Sequence, residues 1–222
     1  DWVVHRFGRT LFTIYFKEYS EKVWGLHCER ISVGWVAKRI EGLSLGMAIR
    51  DAFTREHRGT VASLVDRFAY PRLGIGRVGE RFAEALAPLG RVLCDSRVTR
   101  VCHEAGCVRE VVAATRDGER SFTADAVVST IPLPALARLL DPAPAPEVLQ
   151  AASSLGFRDL VLAAVAVDRP SVTDQTWIYL PDRAIPFGRL HEPKNWSRAM
   201  APAGQSLIVA EYFCFSGDGI WG

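Results

Sequence analysis

The hydrophobic rhythm of the chain changes at Leu73, and that change constrains the fold more than any other feature. Before it, apolar residues recur at the spacing of amphipathic helices. Val3, Val4, Phe7, Leu11, Ile14, Tyr15, Phe16 and Tyr19 predict a helix over 2–19, followed by a polar turn at 21–28. Ser32 is placed to cap a second helix over 32–40 that carries Trp35, Val36 and Ile40. A third helical stretch covers 45–53, and the charged run 55–59 reads as a loop.

After Leu73 the segments shorten and strands enter. Gly74, Gly76 and Gly79 open an amphipathic helix with Phe82, Ala83 and Leu86, ended by residues 88–90. Short strands are expected at 91–93 and 98–103. Cys107–Thr115 and 120–123 flank Asp117-Gly118, a strong hairpin signal. Residues 126–130 (Ala-Val-Val-Ser-Thr) form a continuous apolar run of the kind buried on both faces of a sheet. Pro132 and Pro134 break it, a helix follows to Leu140, and 141–146 is a proline-rich connector. Strands are then expected at 160–167, 177–180 and 206–215. The expected class is α+β, related to α/β folds, with a helical first third and a mixed sheet system after it.

Composition narrows the function classes. The 222 residues suffice for one sizeable core or two modest ones. A formal charge of +2 argues against a nucleic-acid partner, which would need clustered basic excess. No apolar stretch reaches the roughly 18–20 residues of a membrane helix, and no signal peptide is visible. Cys28, Cys94, Cys102, Cys107 and Cys214 are odd in number and irregular in spacing. Cys94, Cys102, His103 and Cys107 resemble a zinc set only superficially, because Cys94 and Cys102 sit among alternating apolar residues, as small hydrophobes do. No metal is expected, and a reducing cytoplasm is the expected setting. The start at Asp1 and the end at Gly222, inside patterned sequence, suggest a piece of a longer reading frame.

Gly74, Gly76 and Gly79 also satisfy G-x-G-x-x-G, with Asp95 about twenty residues on. The dinucleotide fingerprint requires a buried strand that runs straight into the glycines, so that a helix N-terminus meets the pyrophosphate. Here Arg67, Pro71 and Arg72 precede them, which is wrong for a central strand. The expectation is a glycine-rich turn entering a helix.

Several motifs occur in an order that resembles one superfamily. Tyr19-Ser20-Glu21-Lys22-Val23-Trp24 resembles the Tyr-Ser/Thr-x-Lys-x-Trp helix end of UDP-galactopyranose mutases. Trp35-Val36-Ala37-Lys38-Arg39-Ile40 is similar to their Trp-x-x-x-Arg-Val/Ile stretch, and Tyr70-Pro71-Arg72-Leu73-Gly74-Ile75-Gly76 to their Tyr/Phe-Pro-x-x-Gly-x-Gly turn. The pair formed by 97–101 and 124–132 resembles two flavin-domain elements of the amine oxidase superfamily, which also holds protoporphyrinogen oxidases. Trp177 to Pro181, Ile185 to Arg189 and Asn195-Trp196-Ser197 resemble a later mutase pattern.

The resemblance implies the central part of an FAD-dependent flavoprotein. It implies a helical substrate-side subdomain over 1–69, part of an FAD-binding domain over 70–141, and an incomplete substrate-domain β-sheet over 142–222. Val98 would face the adenine end of FAD through its backbone, and the turn of Ser129, Thr130 and Pro132 would close the same region. Arg39 and Arg189 would hold a diphosphate bidentately, Lys22 would add positive charge, and Tyr19, Trp24, Trp177 and Tyr179 would wall a flat group, with Asn195 nearby. Tyr19, Trp24 and Arg39 have plain packing or ion-pair roles as alternatives. No catalytic residue is singled out, and His191 is the one histidine to watch as a proton carrier. Three functions stay open: an FAD-dependent oxidoreductase of a small organic substrate, a mutase-like isomerase of a nucleotide sugar, and a non-catalytic piece without flavin. The chain alone is expected to bind FAD weakly or not at all.

Overall fold

The computed structural model describes residues 2–34, 36 and 68–221. The predicted helix over 45–53, the loop at 55–59 and Arg39 lie outside the described residues. The fold is α+β, as expected, and it divides into two compact units, Asp1–Glu80 with Arg158–Gly222, and Arg81–Phe157.

The first unit opens with helices α1 (Trp2–Phe7) and α2 (Arg9–Leu11), a π-helical turn over Phe12–Lys17, and α3 (Glu18–Trp24). Gly8 separates α1 from α2 at a φ of 83°, a left-handed conformation that glycine adopts without strain. The helix therefore runs past the predicted end at residue 19, and the polar turn starts only at Gly25 (φ 63°), whose N–H bonds the Glu21 carbonyl. Arg158 explains the extension. Its guanidinium donates to the last-turn carbonyls of Val23 and Lys22, at 2.9 and 3.3 Å, and to the Phe213 carbonyl at 2.7 Å. Carbonyls that end a helix need such partners, and this one lies too far away in sequence for local pattern to reveal.

The sheet of this unit has the order β5-β8-β7-β6, all antiparallel. β5 (Asp159–Val167) and β8 (Ser206–Cys214) pair along their full lengths, as their apolar runs predict. β6 is short (Ile178–Tyr179), and β7 (Arg189–His191) was not expected. Arg189 therefore sits on a strand, because β7 pairs Arg189 with Glu211 and His191 with Val209 on β8.

Helix α4 (Gly76–Leu86) follows Gly74 and a turn, and residues 68–71 join no ladder. The second unit then holds a sheet of order β3-β2-β1-β4. β1 (Arg97–Glu104), β2 (Cys107–Thr115) and β3 (Gly118–Thr123) form an antiparallel meander, with Thr115 opposite Gly118 at the predicted Asp117-Gly118 turn. β4 (Leu140–Asp141) adds parallel to β1 after α5 (Leu133–Leu139). Helix α6 (Pro146–Ser153) starts where the expected connector ends, in a stretch for which no element was expected. Val101, Val112, Ala113 and Ala137 are buried in this unit.

Three expectations fail here. Residues 91–93 are not a strand. Cys94 is exposed rather than a buried small hydrophobe. The run 126–130 is neither paired nor buried, and Val128 is 92% exposed. An apolar strand is buried on both faces only when neighbours flank it, and no described strand does so.

Candidate functional site

Helix α3 and the sheet of the first unit bring five predicted or watched residues together. Tyr19 and Lys22 lie one turn apart on α3, so both face the same way. The Tyr19 ring meets Tyr179 of β6 edge-on, with centroids 5.2 Å apart. Lys22 Nζ donates to the carbonyls of Leu180 and Asp182, at 2.7 and 2.8 Å, and ties the helix to the end of β6. On β7, Arg189 Nε donates to Glu211 Oε2 at 2.8 Å, and its Nη2 lies 2.5 Å from the same oxygen. His191 Nδ1 stands 3.2 Å from the other oxygen, Glu211 Oε1.

Aromatic rings continue the cluster. His191 stacks on Trp196 at 4.8 Å, and Trp196 contacts Trp177 at 5.0 Å and Tyr70 at 5.3 Å. Asn195 lies beside these rings in sequence and is engaged by backbone. Its Nδ2 donates to the carbonyls of Thr173 and Gln175, both at 2.9 Å, and so holds the loop that leads to Trp177. Glu192, fully buried, holds the same loop from below. It accepts from the amides of Val172 and Thr173, at 3.1 and 2.8 Å, and from the Ser206 hydroxyl at 2.5 Å.

The electrostatics leave most of these groups uncharged or paired. Burial pushes the Tyr19 phenol up to about 12 against the opposing pull of Arg189, so it stays protonated at neutral pH. Burial also lowers His191, outweighing the attraction of Glu211 and keeping the imidazole neutral. Lys22 is lowered by burial. For Arg189, burial acts downward but the bond to Glu211 outweighs it, and the guanidinium is held more firmly protonated. The cluster therefore presents two tyrosine hydroxyls, a neutral imidazole and a closed ion pair.

The remaining predicted residues lie elsewhere. Trp24 ends α3 and Arg39 is outside the described residues. Val98, Ser129, Thr130 and Pro132 belong to the second unit and are exposed. Glu211 and Trp196 were not among the predicted site residues. The available signal was a carboxylate at the centre of the apolar run 206–215, a position where charge needs a partner. A separate cavity of about 580 Å³ lies among the first helices, lined by Trp2, Phe12, Phe16 and Ile31 among others; no residue of the cluster lines it.

The adenosine end of an FAD would need open backbone and hydroxyl donors, and the second unit has one segment that carries such groups. Residues 126–131 are an exposed segment, and among the described residues no hydrogen bond between backbone groups involves their amides. The Ser129 and Thr130 hydroxyls lie in the same segment. The segment supplies no strand-fed glycine cradle for the pyrophosphate, since Gly74 follows a turn.

A family model described as flavin containing amine oxidoreductase matches residues 7–218. No curated protein matches the chain. Among solved structures, reduced UDP-galactopyranose mutase superposes with a TM-score of 0.73 at 18% identity, covering 96% of this chain and 46% of that one. A protein from Pyrococcus furiosus gives 0.68 at 16% identity, covering 98% and 49%. A candidate protoporphyrinogen oxidase from Exiguobacterium sp. 255-15 gives 0.59 at 16% identity, covering 93% and 43%. At these identities the likeness is one of fold, and the chain spans about half the length of the structures it matches.

Proposed function

The chain belongs to the flavin-containing amine oxidoreductase family, and from that premise we propose that it forms the central part of an FAD-dependent oxidoreductase acting on a small organic substrate. The observation that carries the substrate side is the convergence of Tyr19, Tyr179, Arg189, Glu211 and His191 in one polar, aromatic cluster. In this reading residues 1–69 and 142–222 supply the substrate wall, and 70–141 contribute to the flavin domain. FAD, when bound, supplies the acceptor for the substrate's hydride.

The chain's own groups do the positioning. The Tyr19 and Tyr179 rings hold the organic body of the substrate, and their phenols donate to its polar atoms. His191 is neutral and can take up a proton, which Glu211 would then stabilise. Val98, Ser129, Thr130 and Pro132 would line the adenosine end of the cofactor.

A mutase-like reaction on a nucleotide sugar is the second reading, supported by the fold likeness to the mutase. It needs Arg189 to meet a diphosphate, whereas Arg189 is paired with Glu211.

The polypeptide that carries residues 1–222 in its own host is expected to purify with bound-flavin absorbance. A colourless protein that acquires none when FAD is added ends the flavoprotein reading.

A further inference from the structure

We propose that Glu211 is the residue that sets the charge class of the ligand: as a built-in counter-ion it closes Arg189 to anions, so that the cluster admits an uncharged organic molecule. The inference rests on the reading of the cluster as the substrate wall and goes one step further, to what that wall selects.

The pair is fixed by the backbone. Arg189 and Glu211 are direct cross-strand partners on β7 and β8, so the sheet register itself sets the guanidinium against the carboxylate. Two guanidinium nitrogens, Nε and Nη2, converge on Glu211 Oε2. An incoming phosphate or carboxylate finds that side-on edge occupied and only the Nη1–Nη2 end left, where the nearby Glu211 carboxylate repels it. Glu211 is 5% exposed, so losing Arg189 to a ligand would strand a buried carboxylate. The exchange is therefore unfavourable.

Among the described residues, the other cationic groups of the cluster do not rescue an anion. Lys22 spends donors on the carbonyls of Leu180 and Asp182. His191 is held neutral by burial and faces the remaining oxygen of Glu211. What remains open to a ligand are the phenols of Tyr19 and Tyr179, the second of them on the exposed side, which hydrogen-bond to neutral oxygen and nitrogen atoms.

The experiment is a calorimetric titration of the purified 222-residue chain with inorganic pyrophosphate. Wild type, Glu211→Gln, Arg189→Gln and the double variant are compared. Wild type and Arg189→Gln should show the same weak, non-saturating binding. Glu211→Gln should gain at least about tenfold in affinity, as a freed bidentate arginine would, and the double variant should lose that gain. A wild type that binds pyrophosphate clearly more tightly than Arg189→Gln overturns the proposal. So does a folded Glu211→Gln, verified by circular dichroism, that gains nothing. Should Glu211→Gln fail to fold, the comparison of wild type with Arg189→Gln decides alone, equal weak binding supporting the proposal. Pyrophosphate binding is read without flavin, so a failure here leaves the flavin absorbance test untouched, and the reverse also holds.

Discussion

Glu192 shows how a single buried carboxylate organises the ground beneath the cluster. Burial pushes its carboxyl up, but the bonds from Ser206, Thr173 and Val172 together outweigh burial and hold it below the ordinary range. A depressed carboxyl contributes stability that is present above its unfolded value and lost as pH falls through the folded one. Denaturant midpoints are therefore expected to fall on acidification below about pH 4, and Glu192→Gln should flatten that acid limb; an unchanged limb in the variant would refute the assignment. Ser206→Ala, which removes one of the donors, should cost about 1 kcal/mol at pH 7 in the same measurement. Tyr19 carries a second prediction. Ultraviolet titration should find one tyrosine ionising near pH 12, and Tyr19→Phe should remove that step.

At the scale of elements, the C-terminus of α3 is the joint that aims Tyr19 and Lys22 at the sheet. Arg158 binds its last carbonyls, and Arg183 from the loop after β6 pairs with Glu18 and with the buried Glu21. Gly25 closes the joint in a left-handed conformation, and a Cβ there would lie 2.5 Å from the Phe215 ring. Gly25→Ala is expected to lose at least about 1–2 kcal/mol from the backbone conformation alone, read as a lower unfolding midpoint. Arg158→Met should lower that midpoint as well and increase hydrogen exchange at residues 22–25. The exact end of this helix was not legible in sequence, because the partner that satisfies it lies more than a hundred residues away. The Asp117-Gly118 hairpin was legible, because both its turn chemistry and its flanking alternation are local. The glycine triplet after Leu73 was likewise read correctly as a turn and helix start, since Pro71 and the arginines around it rule out a feeding strand.

The two units differ in what they bury. Arg81–Phe157 encloses Val101, Val112, Ala113 and Ala137, while Phe82, Leu86, Leu89, Val127, Val128 and Ile131 are exposed. Val112, with no exposed surface, is the centre of that small core, and Val112→Ala should cost about 2 kcal/mol in chemical denaturation. An apolar run with open backbone groups is a template for strand pairing between molecules. Val128→Lys is therefore expected to reduce concentration-dependent light scattering without shifting the unfolding midpoint. Among the described residues no helix is long and apolar enough to cross a membrane.

The amino-acid sequence alone determined the class, most of the strands, the hairpin and the family likeness, because each is written in periodicity and motifs a few residues long. It also marked Tyr19, Lys22, Tyr179 and Arg189 as residues of one site. Only the tertiary structure decided how those charged groups are paired. The register of β7 against β8 places Glu211 on Arg189, and the fold of α3 over β6 turns Lys22 onto backbone carbonyls. Whether a cation is free to meet a ligand depends on its nearest neighbour in space, and that neighbour is chosen by packing.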